Sequence, residues 1–262
     1  MRVITFASGS GGNCALVSAG DTHILLDAGI SCRRIREQLS LTGLAPENLS
    51  AILITHEHSE HISGLSTLAK RCLAPIFAPP AVARALERSV PGALPVLRAV
   101  NAGEPFPLGS VTVRAFHTPH DTPESVGWRL DDSLGGSFAL ATDMGCVTEE
   151  IREGLLGAET VLIEANHDPD LLRAGPYPYP LKRRILSDRG HLSNADSALL
   201  AAFLAARGTR YIILGHLSRE NNTPELAFRT VSAALAGSPA RLFVAPAAER
   251  LTVEVAAEAS RV

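Results

Sequence analysis

Residues 55–61 read THEHSEH and carry three histidines and two glutamates in seven positions. They follow the apolar run AILI, which has the composition of a buried strand. His56 and His58 are two residues apart, so in an extended turn their imidazoles can converge on one cation. Glu60 and His61 fall at the start of a helix predicted over ISGLSTLAKRC and face a neighbouring position. The segment could therefore serve two metal ions about 3.5 to 4 Å apart, the spacing of two-metal hydrolytic sites.

Two other interpretations of this segment fit the sequence less well. A polar turn without metal would need three of the nine histidines in the chain to fall within six residues by chance. The zinc-binding HExxH helix needs a histidine four residues after His56, and that residue is Glu60. The pattern therefore favours a metal site at the end of a strand.

Further candidate ligands stand near the ends of other strand-like runs. His117 and His120 follow VTVRAF, Asp143 follows FALAT, and His216 follows YIILG. Ligands of α/β folds gather at the edge where strands end. A centre with two ions needs imidazoles and a carboxylate able to bridge both ions. We therefore expect these side chains to meet the first cluster at one edge of the sheets.

Strand-like runs and amphipathic helices alternate along the chain and must position these residues. Runs such as HILLDAG and TVLIEAN are separated by helical patterns such as SCRRIREQLSLTG and NADSALLAAFLAARG. Early strands are joined by glycines in hairpin fashion, whereas later ones stand singly between helices. This order predicts an α/β fold with mixed sheets flanked by helices. The stretch DPDLLRAGPYPYPLKRR is expected to form an ordered surface loop.

The composition is that of an ordinary soluble globular protein, with 262 residues, 46% hydrophobic, 19% charged and a net charge of -3. There is no overall basic field to indicate a nucleic-acid partner. We predict one domain over residues 1–262. No apolar run approaches the roughly 18 residues that span a bilayer, and no signal-peptide pattern begins the chain. These features predict a cytoplasmic location without membrane association.

The four cysteines are scattered without a CxxC pair, at Cys14, Cys32, Cys72 and Cys146. Their spacing favours reduced, buried thiols over a disulfide framework or a cysteine-type zinc site. Imidazole and carboxylate ligands without thiolate suit zinc or manganese, with iron as a third option.

These motifs resemble the metallo-β-lactamase fold, whose HxHxDH signature is followed by motifs that contribute a His, an Asp and a last His. More narrowly, the chain resembles the YycJ/WalJ-like group of that superfamily. The resemblance rests on ASGSGGNC, THEHSEHISGL, HTPHDTPESVGW, ATDMG, EANHD, GPYPYPLKRRILSDRGHLSN and LGHLSRENNTP, which together extend over most of the chain. It implies an αββα sandwich of two mixed sheets flanked by helices.

The resemblance also implies seven ligands divided between two divalent ions. They are His56, His58 and His120 at one ion, Glu60, His61 and His216 at the other, and Asp143 as the bridge. His120 is preferred to His117 because the third-motif histidine of the family precedes an SxGY-like element, here SVGW. His117 is then expected near the site or at its edge without binding metal.

Glu60 departs from the family pattern, which usually has Asp at this position. The extra methylene moves the carboxylate outward by roughly 1.2 to 1.5 Å. Ligand distances of about 2.0 to 2.2 Å tolerate little error. We expect Glu60 to bind metal only if its side chain curls, or to bind through a water. The departure puts the metal affinity of the second position in doubt.

Two ions that share a bridging water would lower the pKa of that water and generate the attacking hydroxide. Glu164 and His191 resemble the paired Glu and His that assist proton transfer in phosphodiesterases of the superfamily. His167 is an alternative to His191, although a role in ordering its loop suits it better. Asp27 ends the run HILLD and is a candidate acceptor for a hydrogen bond from a ligand histidine, with a simple turn role as the alternative.

The glycines of SGSGGN are expected to permit a tight turn. The alternative is an anion-binding nest formed by the backbone N–H groups of Gly11, Gly12 and Asn13.

A basic segment with two tyrosines precedes His191 and consists of Tyr177, Tyr179, Lys182, Arg183, Arg184 and Arg189. Cations beside stackable rings suit a nucleic-acid strand, and a solvated basic loop is the alternative. The family resemblance implies nuclease activity, including exonucleolytic degradation of DNA. We therefore predict a dinuclear metal-dependent phosphodiesterase that acts on DNA. Two other hypotheses stay open: a hydrolase of a small ester, thioester or cyclic phosphate, and a non-catalytic binding module stabilised by metal.

Overall fold

The computed structural model describes residues 1–254, so the end of the predicted domain, residues 255–262, lies outside the described residues. The strands are β1 (Arg2–Ala7), β2 (Cys14–Ala19), β3 (Thr22–Leu26), β4 (Ala51–Leu53), β5 (Ile76–Ala78), β6 (Leu97–Ala99), β7 (Phe106–Leu108), β8 (Val111–His117), β9 (Val126–Asp132), β10 (Ser137–Ala141), β11 (Thr160–Glu164), β12 (Tyr211–Gly215), β13 (Arg241–Val244) and β14 (Leu251–Glu254). The α-helices are α1 (Cys32–Ser40), α2 (Ser59–Ile62), α3 (Leu65–Leu68), α4 (Pro80–Ser89), α5 (Glu149–Leu155), α6 (Pro169–Ala174), α7 (Tyr179–Ile185), α8 (Asn194–Ala205) and α9 (Pro224–Ala234). Two 3-10 helices cover Pro46–Asn48 and Pro91–Val96.

The strands form two sheets of seven strands each, in the orders β14-β1-β2-β3-β4-β5-β6 and β13-β12-β11-β10-β9-β8-β7. In the first sheet β1, β2 and β3 are antiparallel neighbours, whereas β3 to β6 run parallel. In the second sheet β7 to β10 are antiparallel, and β10 to β13 run parallel. Both sheets are therefore mixed, as predicted.

The two sheets pack face to face, and helices cover their outer faces. Alternate residues of β3 show the layering: Ile24 and Leu26 join a core shared with Trp128 of the second sheet, whereas Leu25 packs with Ile35 of α1. On the far side, strands of the second sheet share a separate core with α5, α8 and α9. Both faces of each sheet are thus apolar, which explains the nearly continuous hydrophobic runs in the sequence. The predicted αββα sandwich is confirmed.

Side-chain caps begin several of the predicted helices. The hydroxyls of Ser31, Thr148, Ser193 and Thr223 accept backbone N–H groups at the starts of α1, α5, α8 and α9. These caps satisfy donors that the first helical turn leaves without partners.

Two sequence predictions about local structure are wrong. The stretch predicted as a surface loop contains α6 and α7, because Pro169 and Pro180 lie in first turns, where proline is compatible with a helix. The single helix predicted over ISGLSTLAKRC is divided into α2 and α3 around Gly64. The N–H of Gly64 donates to the carbonyl of Ala28 over 2.8 Å, and a side chain there would collide with the carbonyl of Ile30.

The cysteines are free, as predicted; three are buried, and Cys146 has intermediate exposure. Across the described part of the chain, no helix combines the length and the apolar character that crossing a bilayer requires. The ends of β4, β8, β10 and β12 lead into the loops that carry the candidate ligands, and Asp27 and Glu164 stand at the ends of β3 and β11.

Candidate metal centre

Three residues that follow parallel strands share a left-handed backbone conformation. Asp27 has φ 56°, Asp143 has φ 56° and His216 has φ 55°. This region disfavours side chains by roughly 1 to 2 kcal/mol per residue, although Asp, Asn and His tolerate it best. Three such residues at the ends of β3, β10 and β12 indicate that the tertiary structure holds them in place. Each of them turns the chain sharply where a strand ends.

Close backbone packing positions the histidine loop. The N–H of Asn13 donates to the carbonyl of Glu60 over 2.7 Å, and the N–H of Gly29 donates to the carbonyl of Asn13 over 2.8 Å. A side chain at Gly29 would collide with the carbonyl of Glu60, and one at Gly12 would lie 2.6 Å from the carbonyl of Gly29. The SGSGGN turn therefore needs its glycines for contact with this loop.

The nest alternative for SGSGGN is not supported. The N–H of Gly12 already donates to the carbonyl of Gly9 over 3.0 Å, and that of Asn13 donates to Glu60. Two of the three proposed donors are thus used inside the protein. The segment acts as a structural turn.

The candidate ligands form three neighbouring groups at this edge, two of which share Asp143. His56, His58 and His120 have ring nitrogens that all lie within 4.8 Å of one another. Asp143 belongs to a second group with His56 and His61, and to a third with Glu164, His191 and His216. Residues separated by up to 160 positions therefore converge on one buried region, with Asp143 between the two sets of imidazoles.

Hydrogen bonds to three imidazoles determine which ring nitrogen faces the centre. Nδ1 of His61 lies 2.7 Å from Oδ2 of Asp27, and Nδ1 of His216 lies 2.9 Å from Oε1 of Glu164. Nδ1 of His120 lies 3.2 Å from the carbonyl oxygen of Gly190. These oxygens accept, so each Nδ1 carries the proton and each Nε2 keeps a lone pair; that of His61 also faces the side-chain nitrogen of Asn13 at 3.2 Å.

His56 is oriented through a hydroxyl. Its Nδ1 lies 3.0 Å from Oγ1 of Thr55, and that hydroxyl is 3.0 Å from Oδ2 of Asp27. Because the hydroxyl has one proton and Asp27 only accepts, Thr55 donates to Asp27 and accepts from His56. Nε2 of His56 then faces Nδ1 of His58 at 3.1 Å. Asp27 thus makes the contact expected of it and also orders Thr55.

The buried acceptors at the centre lack donors. Both carboxylate oxygens of Asp143 and Nε2 of His216 are buried, with no hydrogen-bond partner among the described residues. Burial by itself raises the pKa of Asp143, but His216 and His61 outweigh it and hold that pKa well below its usual range. A buried carboxylate without a donor is costly unless a cation accompanies it. This donor set fits a divalent metal ion.

The other imidazole pKa values agree with this electrostatic arrangement. Burial lowers the pKa of His56 well below its usual value and lowers that of His120, which favours the neutral form that binds metal. Burial also disfavours the charged form of His61, but the carboxylates of Asp143 and Asp27 outweigh it and raise the pKa well above normal. The region between these carboxylates attracts positive charge.

Glu60 is not a member of any of the three groups, and its role as a metal ligand stays a prediction. Its Oε2 instead accepts the hydroxyl of Ser59 over 3.1 Å. Its backbone carbonyl accepts the N–H of Asn13 over 2.7 Å, which restrains the loop at this position.

Glu164 contacts two histidines. Its Oε1 lies 2.8 Å from Nδ1 of His191 and 2.9 Å from Nδ1 of His216, and its Oε2 accepts the N–H groups of Met144 and Leu192 over 3.0 and 3.1 Å. Burial raises the pKa of Glu164, but His191 and His216 lower it to about 2. Four donors keep this carboxylate ionised, so Glu164 positions the imidazoles and is not itself a proton donor.

His191 is more accessible than His216, the other histidine that contacts Glu164. Burial lowers its pKa, but the charge and hydrogen bond of Glu164 outweigh burial and raise it to about 9. Its side chain is 21% exposed, whereas that of His216 is 2% exposed. A protonated imidazole can therefore meet a substrate at the surface of the centre.

The remaining histidines lie outside the groups. His117 is 53% exposed and contacts Glu150, which agrees with its expected edge position. His167 is buried, and neither of its ring nitrogens has a hydrogen-bond partner within residues 1–254. Its carbonyl accepts the N–H of Asn194 over 2.8 Å, so the backbone at His167 helps to order the loop before α8.

The basic segment lies beside the centre, on and after α7. Arg184 pairs with Asp121, and Nζ of Lys182 donates to the carbonyl of Arg173 over 2.7 Å. The guanidinium of Arg183 lies 6.0 Å from the ring centroid of Tyr179. Arg189 follows α7, and its Nε donates to the carbonyl of His120 over 2.8 Å. Arg189 therefore supports the loop that carries His120.

Sequence reasoning missed three residues at the centre. Thr55 orders His56, Asn13 places its side-chain nitrogen 3.2 Å from Nε2 of His61, and Asp121 approaches His120. Asp121 had one available signal, because it is a carboxylate directly next to a candidate ligand. Thr55 and Asn13 carry no signal of this kind.

Known proteins share this fold and these motifs. A family model described as a beta-lactamase superfamily domain matches residues 22–217. The chain is 37% identical over 231 residues to exodeoxyribonuclease YycJ of Bacillus anthracis, with 87% of each protein covered. It is 39% identical over 235 residues to exodeoxyribonuclease WalJ of Streptococcus pneumoniae, covering 86% of this chain and 84% of that one. The structure of Zn(2+)-bound PqqB from Methylobacterium extorquens has a TM-score of 0.72 at 20% identity, covering 97% of this chain and 100% of that one.

The chain belongs to the metallo-β-lactamase superfamily and is a metal-dependent hydrolase. Within that superfamily it groups with the YycJ and WalJ proteins, over most of its length.

Proposed function

We propose that the protein is a dinuclear metal-dependent phosphodiesterase that degrades DNA as an exonuclease. The observation that carries the proposal is the buried carboxylate of Asp143, which has no hydrogen-bond donor and lies between two sets of imidazoles. The names of two relatives, both exodeoxyribonucleases at 37% and 39% identity, favour DNA as the substrate.

In this proposal the ligands divide around Asp143. His56, His58 and His120, which form one group, would hold one ion, and His61 and His216, which each share a group with Asp143, would hold the other, with Asp143 available to both. Zinc or manganese suits this set, and iron is a third option. Bound ions would supply hydroxide near neutral pH and offset the charge of the phosphate.

The residues of the chain then perform the proton transfer. Glu164 holds Nδ1 of His191, so the proton on Nε2 is directed away from the carboxylate. A pKa of about 9 keeps His191 protonated at neutral pH. The imidazolium can donate that proton to the leaving alkoxide, as a general acid does. Its partial exposure brings the proton to the surface that a substrate reaches.

Helix α7 is the proposed contact for the nucleic-acid strand. Arg183 is exposed and lies beside the ring of Tyr179, so it offers both a cation and an aromatic face. Lys182 and Arg184 lie on the same helix, with Arg184 linked to the centre through Asp121. Phosphate contacts of this kind would weaken as salt rises.

The test is hydrolysis of end-labelled single- and double-stranded DNA by protein loaded with zinc or manganese. Stepwise loss of terminal nucleotides supports the proposal, and the labelled end that disappears first gives the polarity. Asp143→Asn is the matched control, because the amide preserves the shape but not the charge. Turnover of bis-p-nitrophenyl phosphate by protein that leaves every DNA substrate intact would reject DNA in favour of a small phosphodiester.

A further inference from the structure

The two carboxylate oxygens of Asp121 have different surroundings. Oδ2 is paired with Nε of Arg184. Oδ1 is buried and has no hydrogen-bond partner among residues 1–254. It lies 3.2 Å from Nε2 of His120 and 3.9 Å from Nε2 of His58. A buried acceptor therefore faces one of the candidate metal groups.

The contact with His120 joins two electron-rich atoms. Nδ1 of His120 donates to the carbonyl of Gly190, so Nε2 carries a lone pair. A carboxylate oxygen 3.2 Å from that lone pair is repelled unless a cation lies against both atoms. The other tautomer would place an unprotonated Nδ1 against the Gly190 carbonyl, which only moves the repulsion. A cation against both atoms removes it, and a proton on Nε2 is the alternative to a metal ion.

The charge of the centre leads to the same conclusion. Two divalent ions carry four positive charges, and Asp143 is the one carboxylate in the proposed ligand set once Glu60 is left out. A second carboxylate directed at the imidazole group would offset part of the remaining charge. Asp121 is in that position.

We propose that Asp121 is a further ligand, through Oδ1, of the ion held by His56, His58 and His120. The proposal rests on the metal centre of the proposed function. Arg184 holds Oδ2 and thereby directs Oδ1 toward His120. The loop residue after the third histidine thus contributes a carboxylate to the first ion; like Glu60, Asp121 is not a member of the three groups, but its Oδ1 lies within 3.9 Å of Nε2 of both His58 and His120.

Two other roles for Asp121 are weaker. A hydrogen bond from Nε2 of His58 is excluded at 3.9 Å, since such bonds are about 2.7 to 3.2 Å long. Asp121 could instead anchor α7 by pairing with Arg184. The Arg184 side chain is 57% exposed, however, and exposed ion pairs contribute little to stability. Neither role requires Oδ1 to be buried beside a lone pair.

The test compares four variants of the full chain by their affinity for Co²⁺, and the fourth, Asp121→Ser, is a second substitution of Asp121. Asp121→Asn keeps the shape of the side chain but loses its charge. Arg184→Gln breaks the ion pair but keeps the carboxylate. Asp131→Asn removes another arginine-paired aspartate, which pairs with Arg129 away from the centre. Each protein is stripped with a chelator and titrated with Co²⁺ against a chromophoric competitor, and circular dichroism checks that it is folded.

We expect Asp121→Asn to weaken one of two Co²⁺ sites by about 10- to 100-fold, the range seen when groups around a metal are removed. Its visible Co²⁺ spectrum should also change, because one oxygen ligand is lost. Arg184→Gln should weaken that site less than Asp121→Asn does, because the carboxylate stays but loses one restraint, and Asp131→Asn should retain both sites and the spectrum. Asp121→Ser should repeat the loss, so the conclusion does not depend on one substitution.

Unchanged Co²⁺ affinity in Asp121→Asn and Asp121→Ser would overturn the proposal. Equal losses in Asp121→Asn and Arg184→Gln would overturn it too, because the ion pair would then be the cause. Since the readout is metal affinity, wild-type protein that binds two ions but leaves DNA intact would reject the proposed function alone.

Discussion

Oε1 of Glu164 accepts a hydrogen bond from Nδ1 of His216 over 2.9 Å, at a position where both side chains are almost fully buried. The same oxygen lies 2.8 Å from Nδ1 of His191. One carboxylate therefore orients a candidate ligand and raises the pKa of the candidate acid. In the proposed function, metal binding and proton transfer would be coupled through this residue.

Replacing Glu164 by Gln should impair both processes. The amide cannot accept from two imidazoles as a carboxylate does, so the pKa of His191 should fall and the orientation of His216 should loosen. We expect kcat to fall by about 10²-fold or more and one metal site to weaken by about 10-fold. Turnover and metal titration measure the two effects. Loss of turnover without any change in metal affinity would contradict the link to His216.

Replacing His191 by Ala should slow turnover while both ions stay bound. The imidazolium supplies a proton to the leaving group, and general acids contribute about 10²- to 10⁴-fold. Metal content by elemental analysis, alongside kcat, checks this expectation. His117→Ala is the control, since His117 is exposed and lies outside the groups. Loss of a metal ion from His191→Ala would show that His191 is a ligand.

Asp143→Asn should lose at least one ion and all detectable activity. Asn tolerates the left-handed backbone that Asp143 adopts at φ 56°, so the fold should survive. The amide cannot supply the negative charge that the cations need between the imidazole sets. Elemental analysis and DNA hydrolysis measure the outcome. Wild-type turnover by this variant is incompatible with a central role for the carboxylate.

Glu60 permits a test by shortening the side chain. Glu60→Asp should bring the carboxylate closer to His61 and tighten the second metal site, whereas Glu60→Ala should leave metal content unchanged. Competition titration with a chelator measures both affinities. The prediction is wrong if Glu60→Ala loses an ion, because Glu60 would then bind metal in spite of its length.

Much of the fold follows from local sequence patterns. Strand residues such as Ile24, Leu25 and Leu26 are apolar on both faces, and the hydroxyls that begin α1 and α8 follow ordinary capping preferences. The division of one predicted helix at Gly64 could not be predicted from the sequence, because it depends on the carbonyls of Ala28 and Ile30. Contacts between distant segments override a local helical pattern there.

The candidate site was predictable in its residue types and not in its contacts. His56, His58 and His61 stand in one short segment, and Asp143 and His216 follow apolar strands, so the chemistry of each is visible in the sequence. Whether the Glu60 carboxylate joins the ligand groups, and how closely Asp121 approaches His120, depends on differences of a few ångströms in the positions of separate segments.

The sequence by itself determined the alternation of strands and helices and the identity of the imidazoles and carboxylates at strand ends, because periodicity and side-chain chemistry are properties of short segments. The tertiary structure alone decided which ring nitrogen of His120 and His216 faces inward and that Glu164 serves two histidines. Hydrogen bonds and metal ligation depend on distances of about 2 to 3 Å between atoms that are far apart in the chain, and only the folded chain sets those distances.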